Sequence, residues 1–227
     1  SNMALVIAGQ ITEINRVKKA IKKFFYQGWQ GGIEPDKITV APKKEKTFWQ
    51  KQKTQQTHFV LGFPGLAFGD QEKYQLKILA AVLAGSMSSR LWREVREKRG
   101  LAYYVFGFTQ EYPSAGYLAI KAGVNNDRVK EAIKICQEEL LKISRNLKPR
   151  EVSLAKQVIR GRFLVSLEDP LTSTDLIGRN WLFSQEKVLP EEVLKKIEAV
   201  SFGQAVKAAE KFCRPEKIRL AAVGPKG

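Results

Sequence analysis

A single histidine, His58, and two cysteines, Cys136 and Cys213, are the only imidazole and thiol groups in the 227 residues. They stand far apart, whereas zinc sites draw on clustered His, Cys or carboxylate ligands. A self-contained metal centre in this chain is therefore not expected. Two distant cysteines do not make a disulfide scaffold either. They read as buried free thiols on helices, suited to a reducing compartment. Long apolar runs are missing, so no membrane-crossing helix is expected. The opening MALVIAG is short for a signal peptide and has no basic n-region, which makes the expected compartment cytoplasmic. Ser1 and Asn2 ahead of Met3 read as an expression scar or as the cut edge of a longer protein. Acidic residues are scarce: 23 Asp and Glu face 39 Lys and Arg, a net charge of +16.

That surplus admits a nucleic acid, an anionic membrane or an acidic peptide as partner. Residues 1–54 hold 11 Lys and Arg against 4 acids, much of it in RVKKAIKK, Arg16 to Lys23. There Ile14, Val17, Ile21, Phe24 and Phe25 fall on one helical face with the lysines opposite, the pattern of a solvated helix face. No aromatic interleaving of the single-strand-binding kind accompanies it. Charge alone therefore leaves a nucleic-acid module as the weakest reading.

What is present is an alternation of strand and helix signals. MALVIAGQI reads as a buried strand and TEINRVKKAIKKFFYQ as an amphipathic helix. GWQGGIEPDK, rich in Gly, reads as a linker and sets a boundary near residue 35. The next stretch reads as one edge strand broken by Pro42, and QQTHFVLGFPG as a firm strand. A helix is expected over QEKYQLKILAAVLAG. Ser89 is placed to cap a second one, RLWREVREK, which Gly100 ends. YYVFGFTQEY and GYLAIKAGV form a hairpin across PSA. Further helices are expected at NNDRVKEAIKICQEELLKI, after Lys148 with Pro149 at its first position, after Asp169–Pro170, over PEEVLKKIEAV, and over SFGQAVKAAEKFC. The last opens with a Ser201/Gln204 capping box. KIRLAAVGPKG closes the chain as a strand. The predicted class is α+β: a mostly antiparallel sheet packed by helices into an α/β sandwich.

An internal echo bears on organisation. LVIAGQITEINRVKKAIKKFF and LAIKAGVNNDRVKEAIKICQ share a strand, Ala-Gly, Asn and then RVKxAIK. Residues 1–35 thus read as the last strand and helix of a preceding, similar domain plus a linker. Residues 36–227 read as one complete domain.

The densest chemistry lies in SSRLWREVREKRGLAYYV, Ser88 to Val105: four arginines and two tyrosines, with no histidine, cysteine or obvious catalytic carboxylate pair. Arg90, Arg93, Arg96 and Arg99 recur every three residues and trace a drifting helical stripe. Arginines so placed commonly pair with local acids such as Glu94 and Glu97 or face water. Tyr104, Phe106 and Phe108 alternate along a strand and are expected in the core. Were Tyr103 to open the same strand in step, Val105 and Gly107 would share its face, and Gly107 would leave room beside it. His58 is expected to be a packed or hydrogen-bonded strand histidine.

The run SMSSRLWREVREKRGLAY, with HFVLGFPG before it and GYLAIKAGV after it, closely resembles the C-terminal, non-zinc domain of insulinase/pitrilysin-family metallopeptidases of the mitochondrial-processing-peptidase type. Two departures stand out: Ala84 where the family usually has Gly, and Tyr104 where Ser is common. The resemblance implies two homologous α/β domains closing as a clamshell. It also implies that zinc is bound by H-x-x-E-H and a further Glu on the N-terminal domain, which is absent from this chain. The so-called inactive domain lends an Arg and a Tyr seven residues apart, which here are Arg96 and Tyr103. The implied activity is zinc endopeptidase, with this chain inactive by itself. The implied partners are the zinc-bearing domain, on the same chain or on a separate subunit, and a peptide substrate, in a homo- or heterodimer. The alternative within the family is a non-catalytic partner or scaffold subunit.

Overall fold

Period-two alternation with β-branched and aromatic residues builds strands wherever a neighbour completes the hydrogen-bond ladder, and the described residues supply five that do. The computed structural model describes residues 3–25 and 46–225. After α1 (Ile14–Phe25) come β1 (Thr47–Lys51), β2 (Gln56–Pro64), α2 (Lys73–Ala84), a π-helical turn (Trp92–Glu97), β3 (Ala102–Glu111) and β4 (Gly116–Asn125). The chain continues through α3 (Val129–Asn146), α4 (Pro149–Ser166), α5 (Pro170–Ser184), α6 (Pro190–Ala199), α7 (Phe202–Phe212) and β5 (Arg219–Gly224). The sheet order is β1-β5-β2-β4-β3. Only β1 and β5 pair in parallel; every other neighbour is antiparallel. The predicted α+β class with a mostly antiparallel sheet holds.

One sheet face takes the helices. Phe59, Leu61, Val105, Ile120 and Ala122 point into a core completed by Leu79 and Leu83 of α2, Leu140 of α3 and Ala209 of α7. Each buried side chain of Leu size contributes about 2 kcal/mol. Helix starts obey their local chemistry. The Gln204 amide donates to Ser201 Oγ at 3.2 Å and the Ser201 amide to Gln204 Oε1 at 2.7 Å. The Leu171 amide donates to Asp169 Oδ1 at 3.1 Å, and Pro149 and Pro170 open their helices.

Several expectations need correction. Residues 3–10 form no strand and are mostly exposed. Apolar β-branched residues make a strand only when a neighbouring strand completes their hydrogen-bond ladder, and no described strand pairs with residues 4–10. Ser89 does not cap the helix it precedes: its hydroxyl donates back to the Ser86 carbonyl at 2.5 Å. Tyr104 and Phe106 are not core but lie on the sheet's outer face, with Phe108 half-buried beside them. Alternation says which residues share a face, not which face is covered. The covered face of β3 belongs to Val105 and Gly107, where α2 comes so close that a Cβ on Gly107 would lie 2.4 Å from the Ala80 carbonyl. The linker, the boundary near residue 35 and Pro42 lie outside the described residues.

Cys136 and Cys213 are buried, and burial pushes both thiols up to about 12. Neither should react with an aromatic disulfide reagent at neutral pH in the native protein, whereas two thiols should titrate per chain after denaturation. Fast labelling before unfolding would contradict the burial.

Candidate functional site

The arginine-rich stretch is anchored from below. Leu91, Val95 and Leu101 are fully or nearly fully buried, so the segment from 90 to 101 is fixed to the core at three points. Between them the backbone widens: the Lys98 amide donates to the Arg93 carbonyl at 2.9 Å, a five-residue step, and the Leu101 amide to Val95 at 2.8 Å. An extra residue in one turn rotates the residues beyond it by about 100° relative to a continuous α-helix. The stripe of every-third arginines is thereby broken. Gly100, with φ +58°, closes the turn as expected, its amide donating to the Arg96 carbonyl at 3.0 Å. Arg128 at the start of α3 donates to the Arg99 carbonyl at 3.1 Å and holds the exit.

The arginines now have different neighbours. Arg90 is largely buried, donating to both Glu151 oxygens at 2.6 Å and to Asn146 Oδ1 and carbonyl at 2.5 and 2.9 Å. Arg99 is paired with Glu94 at 2.6 Å, which also takes Lys98. These hydrogen bonds, Lys98 first, hold the Glu94 carboxyl below its ordinary value. Arg93 and Arg96 are exposed. Among the described residues neither side chain makes a hydrogen bond or ion pair. Arg96 lies over the Trp92 ring, its guanidinium carbon 4.2 Å from the centroid.

Tyr103 sits at a bulge. Ala102 pairs with Val124 and Tyr104 with Gly123, leaving Tyr103 as the extra residue in β3. A bulge leaves its residue outside the ladder and re-aims the side chain. Tyr103 is consequently 57% exposed, and it does not share the face of Val105 and Gly107. Tyr104, by contrast, is engaged. Its ring lies over Gly123, where a Cβ would meet it at 2.5 Å, and its hydroxyl is hydrogen-bonded to His58 Nδ1 at 3.0 Å. The departure from Ser at 104 therefore has a local structural use, and His58 is the hydrogen-bonded strand histidine expected. Seven residues separate Arg96 and Tyr103 across one pinned turn. Among the described residues no hydrogen bond joins them.

Among the described residues no group of three His, Cys, Asp or Glu could hold a metal ion. With His58 bonded to Tyr104 and both thiols buried, a zinc ion does not fit this chain's described side chains. None of the described helices is long and apolar enough to cross a membrane.

The family model described as Peptidase M16 inactive domain matches residues 1–159. The "Uncharacterized zinc protease YmxG" of Bacillus subtilis is 29% identical across 99% of this chain and 54% of its own length. An uncharacterized zinc protease of Streptomyces coelicolor is 34% identical across 77% of this chain and 38% of its own. The chain thus spans about half or less of these curated relatives. In fold it is similar to a peptidase M16 inactive domain from Pseudomonas fluorescens, with a TM-score of 0.75 at 20% identity over 87% of this chain and 47% of that one. It is likewise similar to a protease from Helicobacter pylori, with a TM-score of 0.76 at 18% identity over 94% and 53%.

Proposed function

Since the chain belongs to the family of peptidase M16 inactive domains, we propose that it is the donor half of a peptide-hydrolysis site. In this reading it closes over a separate zinc-bearing domain. Arg96 and Tyr103 are its catalytic residues. Peptide hydrolysis passes through a tetrahedral oxyanion, and each donor aimed at that oxygen is worth about 3 kcal/mol. A guanidinium offers a fork of N–H groups and a phenol one O–H. The observation that supports the reading is a contrast among neighbours. Arg90, Arg99 and Tyr104 are all engaged within the fold, whereas Arg96 and Tyr103 are exposed and keep their donors unbonded among the described residues. A bulge raises Tyr103, and bulges gather beside active sites. Arg93 shares the exposure of Arg96 but has no aromatic partner among the described residues, and nothing in the structure gives it a role.

Zinc, the H-x-x-E-H ligands and the general base belong in this reading to the partner domain, on the same chain or on a second subunit. The substrate is an extended peptide. Residues 1–35 are, in this reading, the end of a preceding homologous domain plus a linker. The exposed Ile14 and Phe24 on α1, which has no buried residue, support that assignment, as do the zinc protease names and greater length of the relatives. A scaffold subunit is the alternative, and the two are separated by whether H-x-x-E-H is encoded upstream or on a second subunit that copurifies with this one.

This chain alone, purified free of metal and then offered zinc and an internally quenched peptide pool, is expected to take up no stoichiometric zinc and to cleave nothing. Stoichiometric zinc together with peptidase activity would sink the half-site reading.

A further inference from the structure

We infer that Trp92 is a positioning residue for Arg96, holding the guanidinium by its face so that its in-plane N–H groups stay available to the reacting oxygen. The inference rests on the half-site reading and adds to it the means by which a solvent-exposed arginine is kept in one place.

An exposed Arg has several rotatable bonds and loses rotamer freedom whenever it is fixed. Two devices can fix it. A carboxylate grips the fork through the N–H groups, which consumes the donors. An aromatic face grips the guanidinium plane through its quadrupole and consumes none. The segment uses both, at different arginines. Arg90 spends Nε and Nη2 on the Glu151 carboxylate, and Arg99 spends Nη1 on that of Glu94. Arg96 meets Trp92 instead, at 4.2 Å from the ring centroid, inside the range of about 6 Å at which such contacts act. The nearby Glu94 takes Lys98 and Arg99, so it does not draw Arg96 away.

The platform is itself fixed. Trp92 is half-buried and packs against the core cluster, between the fully buried Leu91 and Val95. Beneath Arg96 the backbone is held by the Gly100 amide and by the wide turn from Arg93 to Lys98. A π-helical turn interrupting a helix is frequent at functional sites, and this one lies under the arginine whose donors are open.

The test uses the full-length parent protein and an internally quenched peptide pool. The variants are Trp92→Met, which fills the space without a ring, Trp92→Phe, which keeps a ring, Arg96→Ala, and Arg96→Ala combined with Trp92→Met. Trp92→Met is expected to lower kcat about tenfold, as a misaimed transition-state donor does, with KM within about twofold. Trp92→Phe should retain at least about a third of the wild-type kcat, because a ring face is still present. In the Arg96→Ala background, Trp92→Met should cost nothing further, since no guanidinium remains to be aimed.

An impaired Arg96→Ala beside a normal Trp92→Met overturns this inference alone. So does an equal loss from Trp92→Met in both backgrounds, which would make the ring purely structural. Arg96→Ala with wild-type kcat overturns the half-site reading and this inference with it. Should Trp92→Met fail to fold, Trp92→Leu set against Trp92→Phe gives the same contrast with the same outcomes.

Discussion

Replacing Arg90 by Ala is expected to cost this domain about 3 kcal/mol. Arg90 donates twice to Glu151 and twice to Asn146, tying the start of the π-helical segment to the end of α3 and the first turn of α4. The Arg90 side chain is 11% exposed and that of Glu151 28%. Removing one member of such a pair leaves the other's charge poorly solvated, and for pairs of this kind that costs about 3 kcal/mol. For a domain of this size the loss lowers the melting temperature by roughly 6–12 °C. Arg93→Ala, three residues on in the same stretch, should shift stability by less than about 0.5 kcal/mol, because its side chain is exposed and no acid among the described residues holds it. Thermal or urea unfolding of the two variants side by side checks the contrast. Equal stability would mean that the Arg90 network contributes nothing net.

The same pair predicts a pH dependence. Burial by itself would raise the Glu151 carboxyl, but the hydrogen bonds from Arg90 and from the Lys148 amide outweigh it, and the group lies below its ordinary value of 4.5. A carboxyl depressed in the folded state stabilises the protein above its unfolded value and stops doing so as pH falls through the folded one. The penalty of Arg90→Ala should therefore be full at neutral pH and shrink below pH 4.5. A penalty that stayed constant into that acid range would show that packing, not the ion pair, carries the effect.

The second large effect is on turnover. In the full-length protein, Arg96→Ala and Tyr103→Phe should each lower kcat at least about tenfold, where complete loss of one oxyanion donor costs about 100- to 1000-fold. Neither should alter stability by more than about 0.5 kcal/mol, since both side chains are exposed. The loss belongs in kcat rather than KM, because a donor engaged only in the transition state does not contribute to binding the ground state. Unchanged kinetics in both variants would return these residues to the surface.

Local chemistry was the readable part of the sequence. The capping box at Ser201 and Gln204, the Asp169–Pro170 and Pro149 helix starts and the Gly100 stop depend on residues within a few positions of one another, and they appear where they were expected. What depends on a distant strand was not readable. The bulge at Tyr103 exists because β4 pairs Val124 with Ala102 and Gly123 with Tyr104, and no pattern within β3 reveals it. The buried face of β3 is chosen by the close approach of α2 to Gly107, so the more hydrophobic row, Tyr104, Phe106 and Phe108, lies on the face away from α2. Residues 4–10 had every strand signal except a pairing strand among the described residues. Arg96 and Tyr103 came from the family resemblance; their spacing alone would not have separated them from Arg90 or Tyr104. Trp92 went unnoticed, although an aromatic residue four positions before an arginine on a helix was a visible signal.

The central claim is that Arg96 faces the reacting oxygen, and the most direct test is inhibitor affinity. A phosphonate analogue of a cleaved peptide carries the tetrahedral anionic oxygens of the transition state, whereas the peptide itself does not. In the full-length protein, Arg96→Ala should weaken the phosphonate at least about tenfold while leaving the peptide's KM within about twofold. Equal phosphonate affinity in the wild type and the variant would contradict the account.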